Sequence, residues 1–244
     1  MTSRNDLELA DANRRFYDAL WAEARLIDPE RFNTWPVVRP LLTRPGAWLE
    51  VAPGLRPRLP LHGTRFVDIS VSALAQLRDH GGEAVLGLIT ALPFADASFD
   101  IVCALDVLEH VDDEEAAFSE LSRVARPGAV VLLSVPLHPK CWTSFDDLVG
   151  HRRRYEPERL MACLAKQRIV LEQSAAYGMQ PRWSRLLDFG MWFLANRRRQ
   201  AMWWYNRIFM PLAVRLQKPL ALVDGLIETE TAAAVFLVCR LGPD

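Results

Sequence analysis

Short apolar runs alternate with helical patterns through the first two thirds of the chain. Five runs rich in Val, Ile and Leu have the length of strands that are buried on both faces. Helical patterns over residues 71–80 and 112–125 lie between them. Because alternating strands and helices form right-handed βαβ units, the pattern predicts an α/β fold with a parallel sheet. The five runs are residues 47–51, 65–69, 84–89, 99–105 and 129–135.

Further elements are predicted before, between and after these five strands. An amphipathic helix is expected from Leu7 to about Asp28, where Pro29 disfavours its continuation, and a short helix is expected over 35–42. Between the first two strands lies PGLRPRLPLHGT, in which Pro57 and Pro60 exclude a crossover helix, so we expect a compressed turn. The pattern adds a helix and two late strands, over residues 158–165, 169–176 and 232–240.

Composition narrows the class of protein. The chain has 244 residues, half of them apolar, and a formal net charge of −1, which suits one core and argues against nucleic acid as a partner. Its four cysteines form no CxxC pair, so we expect free thiols in a reducing compartment and no metal site. The amino terminus has no signal-peptide pattern and no apolar stretch reaches membrane-spanning length, which predicts a soluble, cytoplasmic protein.

The carboxyl ends of the strands are where an open α/β sheet binds its ligands. A small-residue turn with Gly54 follows the first strand, and Asp68 ends the second. A carboxylate there can bind both ribose hydroxyls, while Glu50 can accept hydrogen bonds from a ligand ammonium group. A tight turn with an aspartate that caps a helix is the alternative that these residues leave open.

Several motifs then occur in order. The stretch LPFADASFDIVCALDVLEHVDD, from Leu92 to Asp113, resembles the signature that follows the first motifs of class I S-adenosylmethionine-dependent methyltransferases. ELSRVARPGAVVLLSVP resembles their next helix and strand, and GHRRRY (Gly150 to Tyr155) resembles a feature of a branch with many small-molecule methyltransferases. The resemblance covers roughly residues 48–165.

The resemblance implies a Rossmann-like, mostly parallel sheet of seven strands in the order 3-2-1-4-5-7-6, with strand 7 antiparallel and helices on both faces. It also implies S-adenosylmethionine as cofactor and a small molecule as methyl acceptor, with a hydrophobic molecule among the candidates. The residues that match the cofactor-binding positions are Glu50, Ala52 and Gly54 beside the methionine, Asp68 at the ribose, Ile69, Leu88 and Ile89 at the adenine, and Ala104 and Leu105 near the sulfonium.

Three positions depart from the family pattern. Ala52 and Arg56 stand where the family has glycine, and Leu88 stands where it often has aspartate. The change at Ala52 is mild if its φ is negative and serious if its φ is positive. These departures motivate an alternative function, a methyltransferase-like binding subunit without catalysis. A nicotinamide-dependent oxidoreductase is a further alternative, but its glycine fingerprint is missing.

Candidate reactive groups follow the fourth and fifth strands. His110 and His151 are the candidate catalytic residues, because histidine is the natural base at neutral pH; an ordering hydrogen bond is the alternative for each. Candidate substrate contacts are Tyr17, Arg154, Tyr155 and Trp183, the first through a cation–π contact and the arginine through a carboxylate or phosphate.

The region 182–218 combines aromatic and basic residues. It holds four of the tryptophans and eight Lys/Arg residues against one acid, Asp188. We predict a single methyltransferase domain over 1–244, with an N-terminal helical cap (1–45) and an inserted helical lid before the last strand (180–230). A substrate pocket, a homodimer seam and peripheral membrane contact remain open for 182–218.

Overall fold

A single sheet of eight strands organises the fold. The computed structural model describes residues 17–43, 45–178, 192–193, 196–230 and 232–243. Within them the strands are β1 (Trp48–Val51), β2 (Thr64–Asp68), β3 (Glu83–Leu86), β4 (Phe99–Leu105), β5 (Ala125–Pro136), β6 (Ile169–Tyr177), β7 (Val223–Asp224) and β8 (Ala234–Leu241).

The strand order is β3-β2-β1-β4-β5-β8-β6-β7. The first five strands pair in parallel, whereas β8 is antiparallel to both β5 and β6. The predicted α/β, Rossmann-like sheet with a reversed last strand is therefore confirmed. The one difference is β7, which adds an eighth strand at the edge beside β6. Two residues are too few to give a periodic signal in the sequence.

Helices cover both faces of the sheet. Alternate residues of β4 enter two separate apolar cores, with Val102 and Ala104 in one and Ile101 and Cys103 in the other, as the two-residue period of a strand requires. The helices are α1 (residues 17–23), α2 (Trp35–Leu41), α3 (Val71–Asp79), α4 (Glu114–Val124), α5 (Ser144–Val149), α6 (Pro157–Lys166), α7 (Arg198–Trp204) and α8 (Met210–Arg215).

The proline-rich connection between β1 and β2 contains no helix, as its sequence predicts. Leu55 and Leu59 from this segment are fully buried. The turn therefore contributes apolar side chains to the core in place of the usual crossover helix.

Three predicted boundaries are wrong, and one of them is the start of the fifth strand, which is Ala125 and not Ala129. The first helix ends at residue 23 and not near Asp28, because the backbone N–H of Ile27 donates to the carbonyl of Leu55 at 3.0 Å and draws the chain into an extended path. The third strand ends at Leu86 and not at Ile89, because a bridge between Leu88 and Ala91 turns the chain there.

The described part of the C-terminal insertion is helical from residue 198 to residue 215, and irregular chain with strand β7 follows. A π-helical turn, Tyr205–Phe209, joins α7 to α8. Met202 packs with Trp21 and Leu55, and Met210 packs with Ile27 and the N-terminal region. None of the helices in the described ranges is both long enough and apolar enough to cross a bilayer.

Candidate functional site

A cavity of about 330 Å³ opens at the carboxyl ends of β1, β2 and β4. Helix α1 and the π-helical turn contribute aromatic walls, and α5 contributes apolar ones. Its size is at the lower end of ordinary small-molecule sites. The lining residues are Tyr17, Leu20, Trp21, Glu50, Ala52, Pro53, Arg56, Arg58, Asp68, Ile69, Leu105, Asp106, Val107, His110, Phe145, Leu148, Val149 and Tyr205.

Asp68 ends β2 with its carboxylate turned toward the loop that follows β1. Its Oδ2 accepts a hydrogen bond from the backbone N–H of Gly54 at 2.9 Å, and its Oδ1 accepts one from Ser70 at 2.8 Å. Burial raises the pKa of Asp68 to about 6, although these backbone donors oppose the shift. Each oxygen retains a second lone pair, so the carboxylate can still accept hydrogen bonds from a ligand hydroxyl.

Glu50 is a buried carboxylate that orders the proline-rich turn. The backbone N–H of Arg58 donates to both of its oxygens, at 2.8 and 3.0 Å, and that of Leu59 donates to Oε2 at 2.9 Å. Burial raises the pKa of Glu50 to about 7 against these donors. Glu50 lines the cavity, and its hydrogen bonds show a structural task that the sequence did not reveal.

Ala52, in the loop after β1, has a strained backbone. The φ of Ala52 is +55°, which lies in the left-handed region that disfavours residues with a Cβ atom. The change from the family's glycine is therefore the serious one, since a residue with a Cβ atom is strained at this φ. Gly54 also has a positive φ, of +54°, and the indole of Trp21 lies directly against it.

Arg56 and Arg58 bring two positive charges to the cavity. The Arg56 guanidinium lies between the rings of Trp21 and Tyr205, at 5.5 and 5.4 Å from their centroids, and it also donates to the hydroxyl of Tyr205. Arg58 lies 3.7 Å above the ring of Phe32 and donates to the hydroxyl of Tyr177 at 3.3 Å. Within the described residues, Nε of each arginine is buried without a hydrogen-bond partner.

Tyr17 and His110 meet at the other end of the cavity. The Tyr17 hydroxyl lies 3.3 Å from Nε2 of His110, and the two rings meet edge to face. Burial lowers the pKa of His110 to about 3, and the nearby His151 acts in the same direction. Burial also raises the pKa of the Tyr17 phenol well above its usual value. Both side chains are therefore uncharged at neutral pH.

His151 lies behind His110 and outside the cavity lining, with 4.7 Å between the ring centroids. Its Nδ1–H donates to Oδ1 of Asp146 at 2.7 Å. Burial lowers the pKa of His151, and the Asp146 carboxylate opposes that shift. Asp146 is in turn held by Arg154, which donates to both oxygens at 2.9 and 2.8 Å.

Several residues predicted to contact ligands lie elsewhere. The cavity lining includes neither Leu88 nor Ile89, and Leu88 is 56% exposed. Ala104 is fully buried inside β4. The Arg154 guanidinium is committed to its ion pair with Asp146, and Tyr155 is fully buried in the core. Neither therefore faces the cavity, because the buried acids of the chain itself hold this segment. Trp183 lies outside the described residues.

Other cavity residues have no recognisable signal in the sequence. Asp106 follows β4 with a φ of +52° and accepts a hydrogen bond from the Ser134 hydroxyl. Tyr205 comes from the other end of the chain, and Phe145 from α5. Only the position of Asp106 directly after an apolar run could have pointed to it.

Comparison with known proteins agrees with this geometry. Residues 56–133 match the family model described as a methyltransferase domain. The chain is 42% identical over 71 residues to a demethylmenaquinone methyltransferase of Roseiflexus sp. (strain RS-1), with 28% of this chain and 30% of the relative aligned. It is 35% identical over 104 residues to an O-methyltransferase of Aspergillus sclerotiorum, with 36% and 39% aligned. The matches thus span well under half the length of these relatives.

Solved structures share the fold over most of the chain. An S-adenosylmethionine-dependent methyltransferase of Thermotoga maritima, described as a possible histamine N-methyltransferase, aligns over 85% of this chain and 90% of its own, with a TM-score of 0.56 and 17% identity. A phosphoethanolamine N-methyltransferase of Haemonchus contortus, solved with S-adenosylhomocysteine, aligns over 90% of this chain and 55% of its own, with a TM-score of 0.53 and 18% identity. Sequence and fold together confirm the resemblance to class I S-adenosylmethionine-dependent methyltransferases.

Proposed function

We propose that this chain binds S-adenosylmethionine in the cavity and transfers its methyl group to a small, partly apolar acceptor. The observation that carries the proposal is the buried Asp68 carboxylate, which stands at the carboxyl end of β2 on the wall of a cavity that also meets β1 and β4. This is the edge at which an open α/β sheet binds nucleotides.

The cavity has chemical partners for each part of the cofactor. Asp68 would hold the ribose hydroxyls, with Ile69 and Leu105 as apolar neighbours of the nucleoside. The buried, unpartnered Nε atoms of Arg56 and Arg58 would attract the methionine carboxylate, since an unsatisfied buried donor is costly. Arg56, which stands where the family has glycine, can thus add a charged contact to the cofactor.

The chain's own contribution to the reaction is alignment and the exclusion of water. The cofactor supplies a methyl group already activated by its sulfonium. Tyr17, Trp21 and Tyr205 form aromatic walls that close the cavity against solvent, which favours an in-line reaction between aligned groups. His110 faces the same space as a neutral imidazole, so it can orient an acceptor hydroxyl or amine, while His151 acts on it from behind as a positioning residue.

The walls of the cavity favour an acceptor with an apolar part. Leu148, Val149 and Phe145 face the space beyond His110, and Tyr205 closes it. One relative is named a demethylmenaquinone methyltransferase, and a methyl acceptor of that kind would suit these apolar walls. The described helices of the 180–230 segment would then act as the lid, because Tyr205 joins them to Arg56 across the cavity, and α1 with α2 would act as the N-terminal cap.

The outer surface of the lid carries a second apolar face. Trp204, Ile208, Leu212 and Leu216 recur every four residues and are each at least 44% exposed, while the opposite face packs inward. Exposed arginines adjoin this row, and no acid occurs from residue 189 to residue 223. An apolar row beside a basic one is typical of helices that lie on anionic membranes. We propose such a surface as the docking partner, with a homodimer as the competing occupant.

The free thiols agree with a cytoplasmic location, which we retain as part of the proposal. All four cysteines fall within the described residues and none is in a disulfide. An apolar acceptor dissolved in the inner leaflet of a membrane would reach the cavity directly from that surface.

Calorimetric titration with S-adenosylhomocysteine tests the function. We expect the wild type to bind this ligand in the micromolar range. Asp68→Ala should lower the affinity by about tenfold or more, because charged hydrogen bonds disappear. Asp79→Ala, an exposed aspartate on the neighbouring helix α3, is the matched control and should bind as the wild type does. Undetectable binding at millimolar ligand would refute the proposal, and binding of NAD instead would favour an oxidoreductase.

A further inference from the structure

Three potential metal ligands from two parts of the chain meet at the inner end of the cavity. Glu109 and His110 belong to a short 3-10 turn after β4, and His151 follows α5. One ligand atom from each residue lies within 4.8 Å of one atom from each of the others. Ligands of a tetrahedral zinc ion stand about 3.4 Å apart, so each side chain would have to move by roughly one ångström to close the group around an ion.

His151 is already oriented as a ligand would be. Its Nδ1–H is committed to Asp146, and Arg154 fixes that carboxylate from the other side. Nε2 is therefore the nitrogen with a free lone pair, and it faces Oε1 of Glu109 at 3.8 Å, which is too long for a hydrogen bond. A carboxylate behind a histidine in this way is the common second shell of metal-bound imidazoles.

The cluster also contains a buried polar atom that lacks a partner. Among the described residues, Oε2 of Glu109 is buried and makes no hydrogen bond. The Glu109 side chain is only 2% exposed. Burying a carboxylate with an unsatisfied oxygen is unfavourable, and a cation bound among the three side chains would compensate for it.

We infer that Glu109, His110 and His151 bind one divalent transition-metal ion. Two imidazoles and one carboxylate suit zinc, cobalt, iron or manganese, whereas magnesium and calcium prefer sites made of oxygen ligands. Residue spacing does not indicate this site, because its histidines are 41 positions apart and no cysteine takes part.

The position of the ion gives it a role toward the acceptor. His110 and Asp106 both line the cavity, so the open side of the ion would face the space where the acceptor binds. A hydroxyl oxygen bound there would lose its proton to water more readily. This part rests on the proposed function, and it narrows the acceptor to a molecule with a hydroxyl or phenol group beside its apolar part.

Cobalt titration of the tag-free, chelator-treated chain tests the site. Co²⁺ should bind with a stoichiometry of one and give visible absorption bands, and Zn²⁺ should displace it. His151→Gln and Glu109→Gln should each weaken Co²⁺ binding by about tenfold or more. The matched controls are His80→Gln and Glu115→Gln, which replace exposed residues at the end of α3 and in α4, and both should bind Co²⁺ as the wild type does.

Two outcomes would overturn the inference without any variant. A wild-type chain that binds no Co²⁺ has no such site, and a thiolate charge-transfer band would assign the metal to a cysteine such as the exposed Cys141. Equal affinity in wild type and folded His151→Gln would do the same. S-adenosylhomocysteine binding, measured separately, distinguishes the two proposals: a chain that binds cobalt but not this ligand keeps the metal site and loses the methyltransferase function.

Discussion

The indole of Trp21 occupies the space that a side chain at Gly54 would need. A Cβ atom built on Gly54 would overlap the six-membered ring of the indole, and the φ of +54° disfavours any residue with a Cβ. The N-terminal helix α1 is thereby seated on the loop that follows β1. Residue 54 must therefore be glycine for two reasons: the Trp21 indole of α1 leaves no room for a Cβ atom, and the turn itself needs a positive φ.

Gly54→Ala should therefore lower the free energy of unfolding by about 1–3 kcal/mol. Two costs contribute: the strain of alanine at a positive φ, and the overlap of its Cβ atom with the Trp21 indole. Gly128→Ala is the matched control, since Gly128 has a φ of +80° and no atom within 4 Å of its built Cβ. Urea unfolding of both variants separates the two costs. Trp21→Ala added to Gly54→Ala should recover the overlap part; strictly additive losses would contradict the contact.

Ala52→Gly should stabilise the protein by about 0.5–1 kcal/mol. The φ of +55° is strained for alanine and accessible to glycine. Ala73→Gly, in the first turn of helix α3, is the control and should destabilise, because glycine loses more backbone freedom there and a buried methyl group is removed. Thermal unfolding measures both. If Ala52→Gly loses stability as Ala73→Gly does, the backbone at residue 52 is not left-handed in solution.

The affinity for S-adenosylhomocysteine should fall as the pH falls. Asp68 accepts hydroxyl hydrogen bonds best as a carboxylate, and its pKa in the folded chain is raised to about 6 by burial. Above that value the group is ionised; below it, binding must compete with a proton. Between pH 7 and pH 5 the affinity should thus decrease by about tenfold. In Asp68→Asn the affinity should be weak and nearly constant over this range; the same slope in that variant would assign the titration to another group.

Arg56→Lys should loosen the lid. Lysine keeps the charge but cannot stack between Trp21 and Tyr205 as the planar guanidinium does. Losing this stacking should lower the free energy of opening the lid by about 0.5–2 kcal/mol. Amide exchange in residues 199–209 should then be faster by roughly 2- to 30-fold. Arg199→Lys, on the exposed side of α7, should leave exchange unchanged. Equal exchange in both variants would remove Arg56 as the link between lid and loop.

The outer face of the lid should bind vesicles that contain phosphatidylglycerol more strongly than vesicles of phosphatidylcholine alone. Trp204→Ser and Leu212→Ser should each reduce that binding several-fold, because an apolar side chain no longer enters the interface. Val170→Ser, which replaces an exposed apolar residue of β6, is the control. A concentration-dependent dimer that Trp204→Ser dissociates, with no vesicle binding, would make this face a dimer seam.

Local pattern in the sequence was enough for the sheet and for its ligand-binding edge. The apolar run of β4 is one stretch of consecutive residues, and so is β2 with the acid that ends it, so each could be interpreted directly. Glu50, Ala52, Asp68, Ile69 and Leu105 all line the cavity. Leu88 does not, since the turn that ends β3 depends on a bridge to Ala91, a contact that strand periodicity does not encode.

The sequence by itself determined the α/β fold, the strand order through its family resemblance, and the edge at which a nucleoside would bind. Tertiary structure alone decided the backbone of Ala52, the stacking of Arg56 between two aromatic rings, and the meeting of Glu109, His110 and His151. The physical reason is range: strand and helix periods arise from neighbouring residues, whereas these contacts join segments up to 149 positions apart that only the packed sheet brings together.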